Sequence, residues 1–368
     1  MELAAAALRQ LKPEALYFVP GWRTPFKRTQ PASFRERRSM LKKALRAAGL
    51  AGRPEVKISD FEDGRRRVVY TVETLEYFKK LHPGAPLYFL MGSDCLAGFT
   101  AWRRWRGILK KASLLVGMRP GHVAPAAAEV PFIALNGRFP QAASSAVRGA
   151  LYLGKNTAAV PAPVLEHIRK KGLYLARERL RLKKTLSPAR FRHSLRVAGL
   201  ALELAPGLGI PSYQAAAAGL LHDCARELPV PVLLPAAQNF ARRQSGTPPG
   251  YINCKDMVKK SPVLLHAWAG AERARRVFGA TDPEILEAIA LHATGAPKMG
   301  GLARLIYLCD LAAPGREFKT AALIRRLAKV DFSAAFRAAN YVKLSYAFAG
   351  GGWVHPLSVS LWNSLQEK

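Results

Sequence analysis

A chain of 368 residues that is 49% hydrophobic and 22% charged can bury two ordinary cores, which excludes a disordered polymer. Its 57 Lys and Arg against 25 Asp and Glu leave a formal net charge of +32, spread over both halves and not gathered in a tail. No apolar run approaches the roughly eighteen residues of a membrane span, and Cys95, Cys224, Cys254 and Cys309 form neither a C-x-x-C pair nor a disulfide framework. These features point to a reducing, cytoplasmic compartment and no membrane partner. The charge suits either nucleic acid or a basic surface serving substrates with several phosphates. No helix-turn-helix, zinc-finger or RNP signature is present, so a basic surface serving substrates with several phosphates is the expected reading and nucleic acid is not.

The first part alternates short apolar runs with helical patterns. MELAAAALRQLKPEALYF reads as an amphipathic helix followed by a strand, without a signal-peptide charge pattern or cleavage site. ALYFVP (15–20), EVKISDF (55–61), PLYFLMG (86–92) and SLLVGMRP (113–120) read as strands, with helices in RERRSMLKKALRAAG, VETLEYFKKLHPG and WRRWRGILKKA between them. Strands and helices alternating at this spacing predict a parallel α/β sheet with crossover helices and a ligand site beyond the carboxyl ends of its strands. APAAAEVP (124–131) reads as a surface loop.

Near residue 176 the texture changes. RERLRLKK is a basic helical connector, and from Ser187 onward the pattern is almost wholly helical. Ser187-Pro188, Ser261-Pro262 and Asp282-Pro283 each read as a cap and first-turn pair opening a helix. The expected organisation is an α/β domain over 1–175 and an all-α domain over 176–368.

The helical part carries a set of inward-facing donors. His193 shares the stripe of Val197, Leu200 and Leu204, with Arg192, Arg196 and Glu203 on the opposite side. His222 and Asp223 follow the apolar run of the next helix, and His266 lies near the small residues Ala269 and Gly270. His292 shares the stripe of Ile285 and Ile289, and Asp310 stands one turn after Ile306 with no Lys or Arg on its own stripe. A single inward histidine is ordinarily a hydrogen-bonded core residue. Six imidazoles and carboxylates on five helices are different, because a buried carboxylate costs several kcal/mol unless paired or metal-bound. Such donors suit divalent transition ions, and six suit two ions bridged by one carboxylate.

The order His193, His222-Asp223, Asp310 resembles the HD superfamily of metal phosphohydrolases. RFRHSLRVAGLALELA, GLLHDCARELP, LLHAWAGAERARRVFG, DPEILEAIALHATGAPKM, YLCDLAAPGR and GGWVHPLSVSLWNSL further resemble successive blocks of the bacterial YqeK-type symmetrical diadenosine tetraphosphatases, from about residue 180 to the C-terminus. The resemblance implies a two-metal site held by His193, His222, Asp223, His266, His292 and Asp310, loaded with iron or alternatively manganese, that cuts diadenosine tetraphosphate into two ADP. Asp223 and Arg226 are the expected catalytic residues, with Lys298 and Arg316 beside them for the polyphosphate; each of the three cations would be an ordinary surface charge otherwise. Ala313 stands where the family carries Glu, and His355 matches a terminal H-P in a supporting role.

The α/β part resembles bacterial nicotinate-nucleotide adenylyltransferases. ALYFVPGWRTPFK matches a strand and turn with Lys27 retained and Phe26 for a histidine, VVYTVETLEYF matches a Y-T-x-D-T-L segment with Glu73 for Asp, and PLYFLMGSDCLAGFTAWRRWRGIL matches a strand with G-x-D and two tryptophans. AASSAVR is a weakened form of the family's phosphate-binding turn. The resemblance implies that Thr71 and Trp102 hold nicotinate, that Ser144, Ser145 and Arg148 contact ATP phosphates, that Lys27 and Asp94 are further substrate-binding residues, and that Mg-ATP and nicotinate mononucleotide are the substrates. The family's G-x-F-x-P-x-H-x-G-H does not occur, and Met1 stands where it should just have ended. The expectation is therefore a domain inactive as written, whose natural reading frame extends upstream. Rival readings keep the HD chemistry with another nucleotide, or make the chain a nucleotide sensor or nucleic-acid-binding protein with a degenerate first domain. A homodimer is compatible with all of them.

Overall fold

The computed structural model describes residues 1–23, 32–119, 130–139, 143–243, 254–315 and 319–366. They fall into two compact units, Met1–Val147 with Ala158–Leu173, and Arg148–Thr157 with Tyr174–Lys368. Lys27 and Arg316 lie outside the described residues.

In the first unit, helix α1 (Glu2–Leu11) precedes strand β1 (Leu16–Phe18), and helix α2 (Phe34–Ala47) leads to β2 (Val56–Ile58), which pairs with β1 in parallel. Helix α3 (Thr71–Leu81), β3 (Tyr88–Gly92), α4 (Ser93–Leu96), α5 (Trp105–Leu109), β4 (Ser113–Gly117) and β5 (Phe132–Leu135) follow. Strands β3, β4 and β5 form a second parallel sheet in that order. Leu114, Leu115 and Val116 are buried in succession, the continuous apolar run of a strand covered on both faces. The α1 helix is lined with alanines that fit it against both sheets: Ala4 and Leu8 meet Leu45 and Leu50, while Ala6 and Ala7 meet Leu115, Leu135 and Phe139. Gly117 permits that approach, because a Cβ there would stand 1.9 Å from Leu3 Cδ2. β5 is absent from the sequence reading. It is four residues long, with Ile133 48% exposed, so neither alternation nor a buried run marks it. Helix α6 (Ser144–Tyr152) carries the chain into the second unit, and α7 (Ala162–Lys171) returns to the first, where it packs on α2.

The second unit has no strand among its described residues. Its helices are α8 (Ala176–Thr185), α9 (Pro188–Leu204), α10 (Ser212–Leu221), α11 (Val230–Arg243), α12 (Cys254–Lys260), α13 (Leu265–Phe278), α14 (Pro283–Leu291), α15 (Gly301–Ala312), α16 (Lys319–Leu327), α17 (Phe332–Ala349) and α18 (Pro356–Ser364). Two of the three expected caps form: Ser187 accepts from the Arg190 N–H and Asp282 from the Glu284 N–H. Ser261 instead precedes a short 3₁₀ turn and makes no side-chain cap. α10 is buried from Gln214 to Leu221, alanine-rich and apolar all round from Ala215 onward and hence central, packed against α9, α14 and α15. Gly219 lets α9 come close: a Cβ there would lie 2.7 Å from Ala198 Cα and 2.9 Å from its N.

Candidate metal centre

Five helical segments of the second unit deliver six donors to one place. His193 comes from the middle of α9, and His222 caps the C-terminus of α10 with Asp223 directly after it. His266 lies in the first turn of α13, His292 caps the C-terminus of α14, and Asp310 lies in α15. His193 Nε2 is 3.1 Å from Asp310 Oδ1, which is 3.7 Å from His222 Nε2. The two oxygens of Asp223 face different imidazoles: Oδ2 is 3.4 Å from His222 Nε2, while Oδ1 is 3.2 Å from His266 Nε2 and 3.6 Å from His292 Nε2. The donor atoms of His193, His222 and Asp310 lie within 4.8 Å of one another, as do those of His222, Asp223 and His292.

Three of the four imidazoles are oriented by the same local device. His222 Nδ1 is 2.8 Å from the Gly219 carbonyl, His292 Nδ1 is 2.7 Å from the Ile289 carbonyl, and His266 Nδ1 meets the Val263 carbonyl. Each carbonyl stands three residues back, where a helix or 3₁₀ turn leaves oxygens without intrahelical partners. Donation from Nδ1–H fixes the tautomer and turns the Nε2 lone pair inward. His222 Nε2 is then a fully buried nitrogen without a hydrogen bond, and His266 Nε2 lies 3.0 Å from His292 Nε2, two lone pairs facing each other. Such an arrangement suits a cation placed among the three Nε2 atoms. Imidazole and carboxylate donors of this kind fit a transition-metal ion.

The electrostatics agree. Burial opposes ionisation of Asp223, but His222, His266 and His292 hold its carboxyl well below the usual range. Burial opposes ionisation of Asp310 as well, and is outweighed by Lys343, His193, His222 and His292. Burial would lower His222, yet the charges of Asp223 and Asp310 raise it, so the centre draws positive charge to itself. His292 is pushed down to about 4 by burial and is a neutral donor. The neighbouring Cys224 thiol is pushed up to about 12 by burial and donates to the Gly270 carbonyl, which removes it as a thiolate ligand.

A cleft of about 330 Å³ opens onto Asp223, His266, His292 and Asp310. Its walls also carry Arg190, Arg226 and Lys343. Arg226 Nη1 donates to the Val263 carbonyl at 3.2 Å, close to His266. Arg190 Nη1 lies 2.9 Å from Asp223 Oδ2, and Lys343 Nζ 3.4 Å from Asp310 Oδ2. The sequence reading missed both. Arg190 was visible in principle, one turn before His193 on the same helix; Lys343 was not, because it arrives on α17. Lys298 is exposed, in a turn with φ 59°, and does not line the cleft.

The nucleotide-binding candidates of the first unit are less gathered. Thr71 opens α3, whose Glu73 accepts from the Tyr70 N–H and pairs with Arg67, which lowers its carboxyl to about 2. Asp94 forms an ion pair with Arg119 at 2.9 Å. Trp102 packs against Phe89 and Phe99. Ser144 and Ser145 are exposed at the start of α6, and Arg148 belongs to the second unit.

Residues 190–328 match the HD domain family, and residues 1–150 match the Cytidylyltransferase-like family. A Mycoplasma pneumoniae protein named probable nicotinate-nucleotide adenylyltransferase/Ap4A hydrolase is 30% identical over 343 residues, covering 91% of this chain and 92% of that protein. The chain belongs to this two-part family. Each part also has relatives of its own: Bacillus subtilis symmetrical bis(5'-nucleosyl)-tetraphosphatase is 32% identical over 154 residues, 42% of this chain and 77% of that protein. A probable nicotinate-nucleotide adenylyltransferase of Aquifex aeolicus is 36% identical over 119 residues, 32% of this chain and 68% of that protein. The chain is thus a Rossmann-like nucleotidyltransferase region followed by a helical HD hydrolase domain, and no described helix is long and apolar enough to cross a membrane.

Proposed function

We propose that the second unit hydrolyses diadenosine tetraphosphate symmetrically, at a centre of two transition-metal ions held by His193, His222, Asp223, His266, His292 and Asp310. Iron is the proposed metal, with manganese as the substitute. The observation that carries the reading is the convergence of six donors in which three imidazoles are locked with Nε2 inward around the divided oxygens of Asp223. Bound there, the ions would lower the pKa of a water and stabilise charge on phosphate oxygens. Asp223 holds the two halves of the donor set together, one oxygen to each, and Arg226 faces the cleft where a phosphate would lie.

Charge supports a polyphosphate substrate. Beside neutral imidazoles the cleft sets Arg190, Arg226 and Lys343 against Asp223 and Asp310, and two divalent ions would bring the total to about five positive charges. A chain of four phosphates is the matching anion. Hydrolysis adds the oxygen of water to an inner phosphorus and breaks the central P–O–P bridge, so the two halves leave as ADP.

For the first unit we infer a nucleotide-binding fold for ATP and nicotinate mononucleotide, with Lys27, Thr71, Asp94, Trp102, Ser144 and Ser145 as its substrate-binding residues. The 368 residues contain no H-x-G-H sequence, and adenylyl transfer is not expected of them. The boundary near residue 175 would then separate two chemistries in one chain.

The test is product analysis of the anaerobically iron-loaded chain given a panel of nucleotides. Diadenosine tetraphosphate should yield ADP as the sole nucleotide product. Equal ATP and AMP, or faster turnover of another phosphoester, would overturn the substrate assignment. Nicotinate adenine dinucleotide from ATP and nicotinate mononucleotide would overturn the reading of the first unit.

A further inference from the structure

The cations of the cleft are not equivalent. Arg226 is anchored at its rim and Arg190 lies against Asp223, whereas Lys343 reaches in from α17 and is fixed from three sides. Its Nζ is 2.6 Å from the His292 carbonyl, 3.8 Å from the centroid of the Tyr307 ring and 3.4 Å from Asp310 Oδ2. Tyr307 is itself held, because its hydroxyl accepts from Asn340 Nδ2 at 3.0 Å, and Asn340 precedes Lys343 by one turn of α17. Two residues of α17 thus grip two residues of α15, Tyr307 and Asp310, themselves one turn apart. A free lysine side chain has many rotamers to lose on binding, and here the protein has already removed much of that freedom, since the Lys343 side chain is only 16% exposed.

The bond to Asp310 is the long one. A committed ammonium–carboxylate bond measures roughly 2.7–2.9 Å, so at 3.4 Å Lys343 is held chiefly by the carbonyl and the ring. Asp310 meanwhile turns its other oxygen, Oδ1, to His193 and His222. The ammonium therefore stands at the boundary between the ligand set and the cleft, where an incoming phosphate oxygen can take over the donor that now leans toward Asp310 Oδ2.

We propose that Lys343 is a substrate-binding residue that holds a phosphate oxygen beside the metal ligands, in an orientation set by Tyr307, Asn340 and the His292 carbonyl. The proposal rests on the polyphosphate-hydrolase reading of the same cleft.

The test uses the full chain and its Lys343→Met and Lys343→Arg variants. Tripolyphosphate binding is measured by calorimetry, metal content by elemental analysis, and diadenosine tetraphosphate hydrolysis by steady-state kinetics. Losing a charge-assisted hydrogen bond should weaken tripolyphosphate binding about tenfold in Lys343→Met and raise KM similarly, with metal content unchanged and Lys343→Arg partly restored. Undiminished tripolyphosphate affinity in Lys343→Met would overturn the proposal. So would lost metal with unchanged KM, which would make Lys343 a positioning residue for Asp310 alone. Failure of the wild-type chain to hydrolyse any phosphoanhydride would instead strike the underlying reading, while the calorimetric comparison still decides whether Lys343 binds phosphate.

Discussion

Replacing Gly219 by alanine tests the packing and the metal centre together. In an ordinary helix this exchange stabilises by about 0.8–1.0 kcal/mol, because alanine loses less backbone entropy. Here the new Cβ would stand 2.7 Å from Ala198 Cα and 2.9 Å from Ala198 N, atoms of a neighbouring backbone that cannot rotate away. α9 and α10 would have to separate by several tenths of an ångström or more. Forced overpacking costs about 1–3 kcal/mol, so the net loss after the propensity gain is about 0–2 kcal/mol. For a unit of this size each kcal/mol is worth about 2–4 °C in Tm. The second effect is sharper: Gly219 also supplies the carbonyl that orients His222, and α9 carries His193. Spreading the two helices moves His193 away from His222, and a donor set disturbed in this way should bind metal roughly 10–100-fold more weakly, the range seen when ligand support is lost. Thermal melting of the full chain with and without iron, with metal affinity by competition, measures both. A rise in Tm of the full propensity gain together with unchanged metal affinity would refute the close crossing of α9 and α10 and its role in placing His193 beside His222.

His222→Ala and Asp223→Ala should each lower bound iron from about two ions per chain to one or none and abolish hydrolysis, while Tm without metal falls by no more than a few degrees; full metal content in either variant would remove it from the ligand set. His355 gives a pH prediction. Burial pushes its imidazole down to about 4 between the rings of Trp268 and Trp353, and its Nδ1 accepts the Leu357 N–H. The unfolded chain protonates this histidine near 6.5 and the folded chain does not. Its contribution is therefore fully present above about pH 6.5, lost as pH falls toward 4, and worth about 3 kcal/mol in all. His355→Asn keeps a capping acceptor and removes the titration, so its denaturant midpoint should vary less with pH over that window; an unchanged slope would contradict the assignment.

How much of this was legible beforehand follows from what each feature depends on. The donors could be read from the chain because each stands on its own helix at a position that the apolar stripe declares inward, as with His193 beside Val197 and Leu200 or His292 beside Ile289. Periodicity is a local property, and it survives in a one-dimensional record. The same holds for the caps at Ser187 and Asp282 and for the buried run of β4. β5 escaped because a four-residue edge strand takes its structure from pairing with β4, not from its own pattern. The absence of Lys or Arg from the stripe of Asp310 is a true statement about α15 and says nothing of α17, which brings Lys343 across 33 positions of sequence.

Sequence alone therefore determined which residue types face the core of each helix, and with them the donor chemistry of the centre. Tertiary structure decided how those donors are shared. It alone shows the oxygens of Asp223 divided between His222 and the pair His266 and His292, and Arg190 and Lys343 against the two carboxylates. It also leaves Lys298 outside the cleft. The physical reason is that a side chain's direction on its helix is set within a turn or two of chain. Which groups come within 3–4 Å depends on how α9, α10, α13, α14, α15 and α17 cross, and those crossings are settled by close approaches such as Gly219 on Ala198.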